Sequence, residues 1–328
     1  MNYDLPPPPA SVGVSNVADL QYRNYEGPLI SRTMRWWIIA KSGMQNTMKK
    51  PAFWVCVAFC LLPYLIHFAI YYFTQGLTQQ AAAAGVGAAG VLGAGDPERY
   101  GQLVYTCLCS DTNLLSIFII ALLIGTGSIA ADNRANALMV YLSKPITKGD
   151  YLLGKWMGIF LTLWIVALLP CLLLFLLLMV VYTTDGFLRE NPTLILRILA
   201  ASVVPALIHT SLLIGLSAWS KSPRLVGSIY AGIYFVGAIL ARILGNSLYG
   251  NDPDMNNTVQ HFSVSGVIEG MIQYILHITL SPALLQKRDD TTLAMPIVAP
   301  LAIAAVVLII GGIVAARTKI NAVEVIRG

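Results

Sequence analysis

The sequence predicts an all-α integral membrane protein with six transmembrane helices and with both termini in the cytoplasm. First, the chain of 328 residues is 56% hydrophobic and only 11% charged, whereas soluble domains are about 45–50% apolar and about 25% charged. Second, six apolar runs are long enough to cross a bilayer as helices, which takes about 20 residues. Third, the basic residues concentrate in segments that six spans place on one side of the membrane.

The segment before the first span is predicted to have two parts. Residues 1–30 contain the proline run Pro6 to Pro9, which disfavours helix and sheet, so we expect a disordered or loosely attached extension. No apolar stretch typical of a cleavable signal precedes Trp36. Residues 31–51 are predicted to form an amphipathic helix at the membrane interface, with Pro51 at the corner to the first span.

The amphipathic pattern of residues 31–51 has two imperfections. At about 100° per residue, Ile39 falls on the polar face and Lys41 on the apolar face. A lysine there can extend its ammonium group to the surface. The alternative is a cytoplasmic extension of the first span that binds nothing. The polar face comprises Arg32, Arg35, Ser42, Asn46 and Lys49, and the apolar face comprises Met34, Trp37, Met44 and Met48.

The transmembrane domain is predicted over residues 52–316. Helices are expected because lipid offers no partner to unpaired backbone groups. The first outer loop, residues 74–112, contains a low-complexity run without large side chains and is predicted to be flexible. The predicted spans are Ala52–Phe73, Asn113–Ala131, Trp156–Tyr182, Leu194–Ala218, Leu225–Leu244 and Ala294–Ala316.

A further helical segment is predicted on the outer side, within residues 245–293. Its apolar part runs from Val264 to Leu285. A seventh span here would move the basic tail, residues 317–328, to the outer side against the charge rule. We therefore expect a helix that lies on the outer interface or dips into it.

The distribution of charge predicts the orientation. Residues 1–51, 132–155, 219–224 and 317–328 hold 15 of the 21 basic residues, and such segments are cytoplasmic by the positive-inside rule. They carry a net charge of +9 and the remainder carries −4, which together give the overall +5. The positive charge therefore reflects topology. No basic face with interleaved aromatic residues occurs, so a nucleic-acid partner is not expected.

Residues 132–155 form a charged segment between the second and third predicted spans. Six charges fall within these 24 residues, and four of them are basic. Pro145 is expected to break the chain, and Thr147 to cap the next helix with Asp150 in its first turn. Gly149 to Trp156 nearly match a phosphate-binding loop, but Trp156 occupies the hydroxyl position and no strand precedes it. Neither catalytic residues nor a metal site is predicted.

The charged segment resembles that of the permease subunits of type-2 ATP-binding-cassette exporters. The resemblance lies in an acidic residue, a small-residue pair with leucine, a Ser-Lys-Pro turn, and the Asp-Tyr and Gly-Lys pairs. The basic tail and the six-span layout agree with it. This chain has Asp132, Asn136 and Ala137 where members often have Glu-x-x-x-Gly-Thr. The matching positions are Asp132, Asn136-Ala137-Leu138, Leu142-Ser143-Lys144-Pro145, Thr147, Asp150-Tyr151 and Gly154-Lys155.

The resemblance implies partners and a mechanism. A second permease subunit, identical or different, pairs with this one, and separate nucleotide-binding subunits bind ATP and magnesium, so this chain needs no cofactor of its own. Residues 132–155 then couple ATP hydrolysis to the spans, in a bacterial inner (cytoplasmic) membrane. We expect apolar contacts with the ATPase from Leu138, Val140, Tyr141 and Leu142, and further contacts from Asp132, Arg134, Lys144 and Pro145.

Other functions stay open from the residues alone. Polar side chains within the spans, Tyr64, His67, His209 and Ser211, are candidates for a substrate path. Buried histidines are also explained by hydrogen bonds between helices. A secondary transporter or channel subunit is the alternative to the permease, and an intramembrane hydrolase is a third reading. A secondary transporter would need carboxylates or broken helices near the midplane.

Overall fold

The computed structural model describes residues 34–83, 97–137, 146–181, 192–249, 253–278 and 298–319. Within these ranges the regular structure is helical, and no strand occurs. In chain order the helices are α1 (Arg35–Met48), α2 (Pro51–Ala83), α3 (Pro97–Leu108), α4 (Asp111–Gly125), α5 (Ala130–Arg134), α6 (Lys148–Val181), α7 (Leu194–Ala218), α8 (Pro223–Tyr249), α9 (Pro253–Gln260), α10 (Val264–Leu276) and α11 (Val298–Lys319).

The prediction of six spans is confirmed. The spans are long and apolar enough to cross a membrane: Pro51–Ile70, Asp111–Arg134, Lys148–Val180, Leu194–Ala218, Pro223–Leu248 and Ala299–Lys319. Helix α7 lies at the centre, because 72% of its most apolar window is buried, against 17–50% for the other five. A Cβ atom on Gly312 of α11 would overlap the carbonyl oxygen of Ser211. Glycine therefore allows the backbones of α7 and α11 to touch, as small residues do between membrane helices.

The two ends of the bundle differ in charge. At one end Lys50 Nζ donates to the carbonyl oxygen of Leu123 at 3.2 Å, and Trp219 Nε1 donates to that of Ala315 at 3.0 Å. This end, called the basic end below, holds α1, α5, the start of α6 and the ends of α7 and α11. At the opposite end Arg197 Nη1 donates to the carbonyl oxygen of Leu276 at 3.2 Å, which joins α7 to α10.

Helix α1 is present as predicted and packs on α6. A Cβ atom on Gly154 would lie 2.7 Å from the carbonyl oxygen of Trp36 and 2.8 Å from Cβ of Ile39. This contact explains why Ile39 interrupts the polar face, because its side chain covers α6. Its placement at a membrane interface stays a prediction. The exposed apolar side chains of α1 include Trp37 and Met48, at 39% and 47% exposure, and Met34, directly before the helix, is 53% exposed.

The first outer loop differs from the prediction. Helix α2 continues to Ala83, and residues 97–108 form α3. Tyr100, Val104 and Leu108 lie on one side of α3 and are buried, since residues four apart share a helix face. This burial is the physical reason why the segment is helical. Most of the low-complexity run lies outside the described residues, as do residues 1–33 and 320–328.

In the part that the structure describes, the outer segment contains the helices α9 and α10. At 13 residues, α10 is too short to span the bilayer, which agrees with the prediction. It begins where Ser263 Oγ accepts a hydrogen bond from the backbone N–H of Gly266 at 3.0 Å, and it ends at His277, whose φ is 53°. Burial raises the pKa of Glu269 on α10 to about 7, with a further increase from Asp111 and a decrease from Arg242.

Candidate functional site

The second span is interrupted just before the charged segment. Between α4 and α5 the chain turns, so that backbone groups lose their helical partners. Ser217 Oγ of α7 accepts hydrogen bonds from the N–H groups of Ile129 at 3.0 Å and Ala130 at 2.9 Å. The same hydroxyl donates to the carbonyl oxygen of Thr126 at 3.1 Å. One buried serine thus supplies partners to the interrupted backbone and ties it to α7.

Asp132 joins α5 to α6. Its Oδ2 atom accepts a hydrogen bond from the Tyr151 hydroxyl at 2.6 Å and forms an ion pair with Lys155 Nζ at 2.8 Å. Tyr151 is fully buried, and the Asp132 side chain is 17% exposed. Hydrogen bonds to a charged group are among the stronger ones in proteins. The carboxylate that was predicted to contact a partner therefore also holds two helices of this chain together.

Residues 130–137, called the α5 segment below, are also fixed to the end of α7. Asn133 Nδ2 donates to the carbonyl oxygens of Ala218 at 3.2 Å and Ser220 at 3.3 Å. Asn136 has φ 51°, a left-handed conformation that asparagine tolerates. Arg134 is exposed. The α5 segment thus presents an exposed cation from a firmly held backbone.

The start of α6 has the predicted cap. Thr147 Oγ1 accepts from the backbone N–H of Asp150 at 3.1 Å, and Asp150 Oδ2 accepts from the backbone N–H of Thr147 at 3.1 Å. This reciprocal pair is a capping box. The residues that resemble a phosphate-binding loop, Gly149 to Trp156, form the first turns of α6. These residues therefore belong to the N-terminus of α6, which lies at the basic end of the bundle.

Two of the predicted coupling residues are described by the structure. Asp132 contacts α6, and Arg134 is exposed. The roles of all eight residues in contacting an ATPase stay predictions. The other six, Leu138, Val140, Tyr141, Leu142, Lys144 and Pro145, lie outside the described residues.

The four side chains proposed for a substrate path occupy separate places. Tyr64 Oη is 3.2 Å from Cys171 Sγ, and His67 Nδ1 is 2.7 Å from the carbonyl oxygen of Pro63 on its own helix. His209 is buried and bonds the Tyr230 hydroxyl. Ser211 Oγ accepts from Trp156 Nε1 at 3.2 Å. Each therefore has a structural bond in this conformation, and a role in transport stays a prediction for all four.

Described residues line two cavities at the basic end. The first, of about 500 Å³, lies between α1, α4 and α6, and Lys50, Ser128 and Lys155 line it. The second, of about 840 Å³, lies between α6, α7 and α11. None of the four proposed path residues lines either cavity.

Sequence reasoning missed the residues that hold the α5 segment. The sequence places Ser217 in an apolar span, and it marks Tyr151 only as a member of the motif in the charged segment. A signal was present, because Gly125, Gly127 and Ser128 interrupt the apolar run at the point where the helix breaks.

Comparison with known proteins gives one family. The family described as ABC-2 family transporter protein matches residues 37–317. The matched stretch begins in α1 and ends in the last turn of α11, so it includes the α5 segment, the residues that line the first cavity, and those that line the second except Thr318. A comparison with curated proteins gave no match.

Proposed function

Since this chain belongs to the ABC-2 transporter family, matched over most of its length, we propose that it exports a substrate using ATP that a separate nucleotide-binding subunit hydrolyses. The chain itself is a multi-pass membrane permease of an ABC transporter. In this proposal ATP and magnesium bind in the partner subunit, and a second permease subunit completes the transmembrane pathway. The basic end faces the cytoplasm, as the positive-inside rule requires, and the membrane is a bacterial inner membrane.

The observation that carries the proposal is the attachment of the α5 segment. Its carboxylate, Asp132, is bonded to α6 through Tyr151 and Lys155, while its backbone is bonded to α7 through Ser217. A partner that pushes on the exposed side of this segment therefore acts on two spans at once. That is the property a coupling element needs.

The energetic requirement is a difference in binding between two states. An ATPase can shift the spans only by as much as its affinity for the two arrangements differs. Arg134 is exposed on the α5 segment, and Leu142 lies in the adjoining part of the charged segment. We propose that both contact the ATPase, through a charge and an apolar side chain respectively. Asp132 then sets the position of the segment in addition to any contact of its own.

Two variants test the coupling role. Arg134→Glu and Leu142→Asp should leave membrane insertion intact and abolish the stimulation of ATP hydrolysis in the complete complex reconstituted in vesicles. Arg224→Glu is the matched control, because Arg224 is also an exposed arginine at the basic end and lies on α8. If both test variants hydrolyse ATP and transport like the wild type, the assignment of the charged segment is wrong.

The secondary transporter is the weaker alternative. Ion-coupled carriers place ionisable groups near the midplane of the membrane. In the six described spans, acidic residues occur only near helix ends, at Asp111, Asp132 and Asp150. Purification of the full complex from detergent discriminates the two, since co-purification of a nucleotide-binding subunit supports the ABC permease and a nucleotide-indifferent oligomer supports the carrier.

A further inference from the structure

The larger cavity at the basic end is a groove with basic residues at its rim. It has a volume of about 840 Å³ and lies between α6, α7 and α11. Apolar side chains form most of its wall, and among the residues that the structure describes the charged ones that line it are Lys148 and Arg317, both basic. The apolar wall includes Leu152, Trp156, Ile214 and Ile313.

The charged and apolar parts of the groove are separated by depth. On α6, Lys148, Leu152 and Trp156 follow at intervals of four residues and share one face. With a rise of 1.5 Å per residue, Trp156 lies about 12 Å further along the helix than Lys148. On α11, Ile313 precedes Arg317 by one turn and so lies about 5–6 Å deeper. Both helices therefore offer a cation at the end of the bundle and apolar surface toward the membrane interior.

The two cations at the rim, Lys148 and Arg317, are exposed. Neither Lys148 nor Arg317 has an ion-pair partner among the residues that the structure describes. Lys155 differs, because its ammonium group is paired with Asp132. Two exposed positive charges above an apolar wall match a molecule that carries a negative head and a hydrocarbon chain.

We propose that this groove binds an acidic phospholipid from the surrounding leaflet. The phosphate lies between Lys148 and Arg317, and one acyl chain follows Leu152, Trp156 and Ile313 toward the membrane interior. A soluble phosphate would leave the apolar wall uncovered, and a zwitterionic lipid would bring its own cation to the rim. Bound lipid fixes the start of α6 to the end of α11. The inference needs membrane insertion and is independent of ATPase coupling.

Lipid retention by the full-length protein tests whether the basic rim of the groove binds the lipid head group. Native mass spectrometry should find phosphatidylglycerol bound in preference to phosphatidylcholine. The double variant Lys148→Gln/Arg317→Gln should lose this preference by about 30-fold. This factor follows because each of the two basic residues near the membrane surface contributes about 1 kcal/mol to the binding of an acidic lipid. The matched control is Lys221→Gln/Arg224→Gln, which removes the same charges from exposed positions at the basic end. Equal preference in the wild type and the test variant would overturn the proposal.

Brominated lipids test the position of the acyl chain, and this test does not depend on the charge variants. Phosphatidylglycerol with brominated acyl chains should quench the tryptophan fluorescence more than brominated phosphatidylcholine does. This excess should disappear in Trp156→Phe and persist in Trp54→Phe, since Trp54 is 53% exposed on α2 and lies outside the groove. An excess that survives Trp156→Phe would refute the proposed chain position. Displacement of the lipid by glycerol 3-phosphate would also refute it, because the head group alone would then suffice.

Discussion

Replacing Ser217 with alanine tests whether one hydroxyl holds the break between α4 and α5. Ser217 is fully buried and accepts from the N–H groups of Ile129 and Ala130 at 3.0 and 2.9 Å. The alanine variant leaves two buried donors without an acceptor, at a cost of about 1–3 kcal/mol each. We therefore expect the free energy of opening of the α5 segment to be lower in the variant than in the wild type by about 2–6 kcal/mol. Even the lower limit makes opening about 30-fold more frequent.

Amide hydrogen exchange measures this opening in the full-length chain in lipid nanodiscs. The peptide that contains Ile129 and Ala130 should exchange at least about 30-fold faster in Ser217→Ala. Ser202→Ala is the matched control, because Ser202 is also fully buried on α7 and bonds a side chain, Trp164 Nε1, at 3.1 Å. That variant should leave the exchange at Ile129 unchanged. If Ser217→Ala exchanges there at the wild-type rate, the hydroxyl does not hold the break.

Three further substitutions probe packing, protonation and attachment. Gly312→Ala should lower stability by about 1–3 kcal/mol through overpacking on α7. Gly311→Ala is the control and should be tolerated, because nothing lies within 4 Å of its Cβ position. Equal unfolding temperatures of the two variants would contradict the close packing. Because burial raises the pKa of Glu269 from 4.5 to about 7, the folded protein keeps a proton that the unfolded chain loses, so stability should fall as the pH rises through this interval. Glu269→Gln should remove this fall in unfolding temperature, and a variant that keeps it would refute the assignment. Tyr151→Phe removes a hydrogen bond to Asp132 that contributes about 1.5–3 kcal/mol. The variant should therefore have a lower unfolding temperature and faster amide hydrogen exchange in the α5 segment. Wild-type values of both would show that this bond does not hold the segment.

The spans and the outer helix α10 could be predicted because lipid imposes a simple rule. A backbone in hydrocarbon has to satisfy its own hydrogen bonds, so each long apolar run becomes a helix. The basic tail then excluded a seventh span, which left Val264 and the residues after it as a short helix. The cap at Thr147 was also predictable, since its partner Asp150 is only three residues away.

Features that depend on tertiary packing could not be predicted in the same way. Helix α3 is amphipathic and not uniformly apolar, so it gave no hydropathy signal, although Tyr100, Val104 and Leu108 were correctly spaced to be buried. The break before α5 depends on Ser217, which is far from Ile129 in the sequence. Only the packing of α7 against α4 shows that this serine has backbone partners.

The bonds of the α5 segment constrain how the spans can move under the proposed coupling. Asp132 ties the segment to α6 and Asn133 ties it to the end of α7, so a push on Arg134 displaces these elements together. The interrupted backbone at residues 126–129 separates the segment from α4, and helix breaks of this kind are where bending concentrates. Motion should therefore divide at this turn, with α4 on one side and the α5 segment, the start of α6 and the end of α7 on the other. Because α11 touches α7 through Gly312, the end of α11 and the lipid groove lie on the moving side.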